Sequence, residues 1–114
     1  MNSQNTHGTG RMDAFERRAA VFKALAHPSR LLMVDELSRG ERCVCELTEL
    51  VGADISTVSK HLALLREAGV VDCDKRGLQV FYRLRVPCVM DFFDCLEAVE
   101  RQGGCCAARV SARR

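Results

Sequence analysis

The sequence predicts a mainly α-helical domain carrying one β-hairpin near its C-terminal end. Three observations lead there. Apolar residues recur at helical spacing through most of the chain. Pro28, Gly40, Gly52 and Gly69 interrupt that spacing at short intervals. After Gly69 the helical period gives way to short β-type runs, Val70-Val71 and Val80-Phe81-Tyr82-Arg83-Leu84.

Taken in order, residues 1–11 read as a disordered polar tail. A first helix is expected from about Asp13 to Ala26, because Phe15, Ala19, Phe22 and Ala26 fall on one face. His27-Pro28 breaks it, and a proline is tolerated at a first helical position because its missing N–H would be unpaired there anyway. A second helix follows from Pro28 to Ser38, ended by Gly40. A third runs from about Val44 to Val51, with Val44, Leu47 and Val51 inward, and stops at Gly52. Asp54 caps a fourth, Ile55 to Ala68, whose core face is Val58, Leu62 and Leu65. Asp74-Lys75-Arg76-Gly77 is the expected hairpin turn, and Pro87 opens a last helix reaching about Arg101. The domain is placed at residues 12–102, followed by a flexible tail at 103–114.

A chain of 114 residues holds one small domain, and association with a second copy would help cover its apolar surface. No apolar run reaches the ~18 residues of a membrane span. The N-terminus has no apolar signal region, which favours the cytoplasm. Net charge is +2, from 17 Lys and Arg against 15 Asp and Glu. That balance alone does not mark a nucleic-acid binder, so motifs must decide.

Two short helices joined by Gly-Ala-Asp, then a glycine and a basic hairpin, form a helix-turn-helix with a wing. The second helix of such a pair offers its N-terminal residues to base edges in the major groove of DNA. Here these are Ser56, Thr57, Ser59 and Lys60, followed by His61. They lie largely off the core face and near backbone N–H groups that favour phosphate. His61 is the weakest of them, because a lone histidine on a packed helix is often structural. The wing adds Lys75, Arg76 and Gln79, within reach of phosphates or the minor groove.

At this point the chain resembles the ArsR/SmtB family of metal-responsive repressors. The resemblance covers residues 20–85. It is carried by Ala24-Leu25-Ala26-His27-Pro28-Ser29-Arg30, by Cys43-Val44-Cys45-Glu46-Leu47, by the run from Ser56 to Gly69, and by Val80-Phe81-Tyr82-Arg83-Leu84. It implies a winged-helix homodimer joined through its first and last helices. It also implies a repressor that occupies operator DNA when metal-free and leaves when metal binds. The Cys-Val-Cys-Glu-Leu element is most similar to the arsenite and antimonite sensors, with the cadmium and lead sensors next. Those arsenite sensors place a third cysteine where this chain has Thr48. The zinc sites of the family use Asp/His pairs on the last helix; Asp91 and Asp94 are present here without a histidine.

Seven cysteines and no export signal point to thiol or metal chemistry rather than a disulfide framework. As(III) and Sb(III) are soft centres suited to thiolates. On a regular helix Cys43 and Cys45 point about 200° apart and cannot share an ion. They can do so only where the helix start unwinds. Cys43 can occupy the N-cap with Glu46 at N3, imitating a capping box with sulfur, and a helix N-terminus favours thiolate. Cys105 and Cys106 follow Gly-Gly in the tail. They either supply further sulfur ligands or are incidental. Cys73, Cys88 and Cys95 read as structural, the last two on a helix apolar over a wide arc. No resident cofactor is required. The alternatives are a Cd(II), Pb(II) or Zn(II) sensor, which needs a fourth ligand from the tail or His7, and a redox or persulfide sensor. A thiol enzyme is disfavoured because no cysteine has a convincing base partner.

Overall fold

The computed structural model describes the backbone of residues 2–102 and the side chains of residues 10–101. Five helices and a three-stranded sheet succeed one another: α1 (Asn2–Leu25), α2 (Pro28–Leu37), β1 (Arg42–Cys43), α3 (Val44–Val51), α4 (Ile55–Glu67), β2 (Val71–Arg76), β3 (Gln79–Leu84) and α5 (Val89–Gln102). The sheet is antiparallel in the order β1-β3-β2. This is a winged helix-turn-helix, mainly helical with a hairpin wing. Residues 103–114, the expected C-terminal tail, lie outside the described residues.

The punctuation read from the sequence governs the helices. His27 caps α2 with extended backbone, and its Nδ1 accepts the Ser29 N–H at 3.1 Å, while Pro28 takes the first turn. Gly52 ends α3 in the left-handed conformation, φ 77°, where a side chain would be strained. The core is one cluster. Met33, Val34 and Leu37 of α2 meet Leu47 of α3, Val58, Leu62 and Leu65 of α4, and Val70-Val71 at the entry to the wing. Val58, Leu62 and Leu65 are wholly buried, and burying side chains of this size contributes about 1.5–3 kcal/mol each. That fixes α4 by one face and leaves the opposite face outside.

Two expectations about these elements need correction. The segment at 1–11 is not a tail from residue 2 onward, because α1 begins at Asn2 rather than near Asp13. On the α1 face identified from the sequence, Phe15 and Phe22 are exposed, and the helix reaches the core through Val21, Ala24 and Leu25 near its C-terminal end. The hairpin is also longer than expected. Asp74, Lys75 and Arg76 belong to β2, and the turn is Gly77-Leu78. Gly77 has φ 64° and Leu78 does not have positive φ, the pattern of a two-residue hairpin turn with glycine first.

The helix α5 divides its wide apolar arc. Val89, Met90 and Phe93 pack on the core, whereas Phe92, Leu96 and Val99 are exposed. Cys88 is exposed rather than in the core. Phe22 and Phe92 meet edge to face, centroids 6.0 Å apart, which joins the outward faces of α1 and α5 into one apolar surface.

Candidate nucleic-acid interface

The N-terminus of α4 is built around Asp54, extended at the N-cap. Ser56 Oγ donates to its carboxylate at 2.8 Å. The hydroxyls of Thr57 and Ser56 hold the Asp54 carboxyl below its ordinary range. Ser56 and Thr57 therefore stabilise the helix start while remaining exposed, and Ser59 and Lys60 are exposed on the next positions. Among the described residues Lys60 forms no ion pair.

His61 points elsewhere. It is half-buried, with Nδ1 2.9 Å from Arg30 Nη1 and its ring 4.5 Å from that of His27. A guanidinium only donates, so Nδ1 is unprotonated. Burial, then His27, then Arg30 push the His61 pKa down. Arg30 also donates through Nε to the Ala24 carbonyl at the end of α1. His61 thus ties α4 to the α1–α2 junction and is not one of the outward residues expected to meet DNA.

On the wing, Lys75 and Gln79 are exposed. Arg76 is exposed as well, but its guanidinium is bound to Glu41 and Asp74 rather than extended. Leu78, at the turn, is 99% exposed.

The thiols sit at the other end of the helix pair. Cys43 closes β1, paired with Phe81, and caps α3. Its N–H donates to Glu46 Oε1 at 2.9 Å, in the expected capping-box arrangement with sulfur in place of hydroxyl. Cys43 is buried and Cys45 exposed, so the two sulfurs face different surroundings. Thr48 turns its hydroxyl onto the Val44 carbonyl at 2.7 Å. Cys73 is half-buried beside Tyr82, whose hydroxyl pKa is raised by burial and by that thiol. None of the five described cysteines is in a disulfide. Among the described residues no group of three or more His, Cys, Asp or Glu is placed to hold a metal ion. Cys105 and Cys106 lie outside the described residues.

A family model, "Bacterial regulatory protein, arsR family", matches residues 27–72, from the cap of α2 into the wing. The transcriptional repressor BigR from Xylella fastidiosa has the same fold at a TM-score of 0.66, with 35% identity over 78% of this chain and 94% of that one. The chain belongs to the ArsR family.

Two further proteins are similar to this chain. The homodimeric winged helix-turn-helix domain of Mb0332 from Mycobacterium bovis superposes at a TM-score of 0.71, with 29% identity, covering 82% of this chain and 86% of that one. The arsenic resistance transcriptional regulator ArsR1 of Pseudomonas putida is 46% identical over 65 residues, 56% of this chain and 51% of its own. This ArsR-family chain spans between 47% and 66% of the length of the curated repressors it matches, ArsR1 among them. No helix among its described residues is long and apolar enough to cross a membrane.

Sequence reasoning missed Glu41, Arg30 and Leu78. Leu78 had a local signal, an apolar residue beside the turn glycine. Glu41 had none, and Arg30 stood out only as the end of the family-like run from Ala24, because their partners lie 35 and 31 positions away.

Proposed function

We propose that this protein is a cytoplasmic, non-enzymatic transcriptional repressor that binds operator DNA as a homodimer and leaves it when As(III) or Sb(III) is bound by cysteine thiolates. The observation that carries this reading is the double duty of Cys43, which caps α3 and pairs with the wing strand. Cys45 follows two residues later with its thiol exposed. Bringing both sulfurs to one ion requires the first turn of α3 to unwind. That displaces the helix against which α4 packs. The third sulfur is assigned to Cys105 or Cys106, from the same protomer or its partner. DNA is met by Ser56, Thr57, Ser59 and Lys60 on α4 and by Lys75 and Gln79 on the wing. The exposed apolar surface of α1 and α5 supports the dimer. The name of the Pseudomonas relative supports arsenic as the inducer.

A second reading, a thiol redox or persulfide sensor, is favoured by one observation: Cys45 carries an exposed thiol, and no group of three or more metal-ligating side chains is formed around it among the described residues. A Cd(II), Pb(II) or Zn(II) sensor would need four ligands in tetrahedral array.

The test begins with a duplex operator selected from random sequence by the reduced protein. A two-fold dimer should select an inverted repeat with half-sites about 10 or 20 bp apart. Complexes are then titrated with As(III), Sb(III), Cd(II), Pb(II), Zn(II) and a persulfide donor. Release by As(III) or Sb(III), abolished by Cys43→Ser and by Cys45→Ser while operator binding persists, supports the proposal. Release by the persulfide donor alone replaces it with the second reading.

A further inference from the structure

Arg76 is the wing cation that sequence reasoning would send to a phosphate, yet its bonds lead the other way. Nη1 and Nη2 donate to Glu41 Oε1 and Oε2 at 2.9 and 2.7 Å. Nε donates to Asp74 at 3.0 Å. The guanidinium also lies 4.8 Å over the Phe81 ring. Both edges and one face of the group are engaged. Glu41 is not part of the hairpin. It precedes β1, whose Arg42 pairs with Tyr82, three residues back from the turn-flanking Gln79. The Arg76 side chain therefore runs back along the sheet, away from the turn. Glu41 additionally meets Arg83 at 3.5 Å, and Arg83 meets Asp72 at 3.3 Å. The arginines hold the Glu41 carboxyl below its ordinary range, Arg76 most of all.

Two physical facts give this arrangement a role. A two-stranded ribbon alone is marginally stable, and the outer part of this hairpin extends beyond the two residues that β1 covers. A bidentate Arg–carboxylate pair fixes orientation as well as distance. Lys75, next to Arg76, is exposed and has no ion pair among the described residues.

We propose that Glu41 is a positioning residue for DNA binding: it draws Arg76 back, fixes the wing against the segment leading into α3, and leaves Lys75 as the wing cation that meets phosphate. The proposal rests on the DNA-binding reading but not on the identity of the inducer. Arg76 then serves the orientation of the wing and not the DNA backbone.

The test measures operator affinity of the full-length dimer across a salt series, using the selected duplex. Glu41→Gln, Arg76→Ala and Arg76→Lys should each weaken binding by about threefold, the scale of an exposed ion pair, with the salt slope of the wild type. The Lys change is informative because lysine keeps the charge but not the planar fork. Glu41→Gln combined with Arg76→Ala should be no weaker than either alone. Lys75→Ala should flatten the slope. A flatter slope for Arg76→Ala, tighter binding by Glu41→Gln, wild-type affinity for Arg76→Lys, or an unchanged slope for Lys75→Ala would each overturn the proposal. A lowered melting temperature in these variants with operator affinity unmoved would reduce Glu41 to a stabilising contact and also overturn it. Failure of the wild type to bind any duplex removes the DNA-binding reading itself, and this proposal with it.

Discussion

Lys60→Ala tests the placement of α4 most directly. Lys60 is exposed near the start of the helix, one position from Ser59 and on the side away from the buried Val58, Leu62 and Leu65. Truncating it removes neither a core contact nor an ion pair among the described residues, so folding should be unaffected. If its ammonium meets a phosphate, a homodimer loses two such contacts. Each releases counterions and contributes about −0.9 to the log–log slope of affinity on salt, so the slope should flatten by about 1.8. Between about 50 and 200 mM salt, a fourfold change, the affinity ratio of wild type to variant should therefore narrow by about 12-fold. Fluorescence anisotropy on labelled operator reads the slope, and sedimentation checks that the dimer is intact. An unchanged slope with a normal dimer refutes the placement of this face of α4 against the DNA backbone.

Two further outcomes are expected. Leu62→Ala, at a position with no exposed surface, should cost about 2.7–5.0 kcal/mol, a large share of the ~5–15 kcal/mol of a typical domain; a denaturant melt measures it, and a loss under about 1 kcal/mol would mean the site collapses freely. The pH dependence of stability should carry His61. Its folded pKa is pushed below the ordinary 6.5, so the unfolded chain binds more protons as pH falls through the histidine range. Stability is full above that range and is lost as pH falls from the ordinary value toward the folded one. Urea melts between about pH 5 and 8 should show this fall, and His61→Gln should flatten it.

How far the sequence reveals the molecule depends on the reach of each interaction. Pro28, Gly52 and Gly69 act on their own backbone, and the boundaries they set lie within a residue of expectation. The inward face of α4 follows from a 3.6-residue period, so its outward face was legible too. The polar composition of residues 2–11 misled, because backbone hydrogen bonds propagate α1 through them without an apolar stripe. Strand β1 is two residues long and has no pattern of its own; Tyr82 and Phe81 on β3 define it. Lys75 and Arg76 resemble a turn in sequence because they are charged and a glycine follows. Asp72 opposite Arg83 and the Gly77-Leu78 turn instead carry the ladder past them. The positions of Lys60 and Cys43 were legible. The orientations of His61 and Arg76 were not, since distant partners in the chain determine them.

The position of Cys43 explains how a small chemical event at one thiol could reach both of the elements proposed to meet DNA. The helix α3 is eight residues long, and only Leu47 on it is fully buried. A cap of this kind is worth about 1 kcal/mol when the acceptor is oxygen, and sulfur is a weaker acceptor. Glu46 strengthens the start by accepting the Cys43 N–H, but that bond is lost as soon as Cys43 leaves the cap. The ligation proposed above would therefore have little to overcome in order to undo the first turn. Two consequences follow from one displacement. If the first turn unwinds as proposed, Leu47 would shift against the α4 core, and β1 would lose its pairing with Phe81, whose ring supports the Arg76 guanidinium. Serine at position 43 would firm the cap and remove the ligand together, which is why Cys43→Ser should hold operator DNA in the presence of inducer rather than release it unfolded.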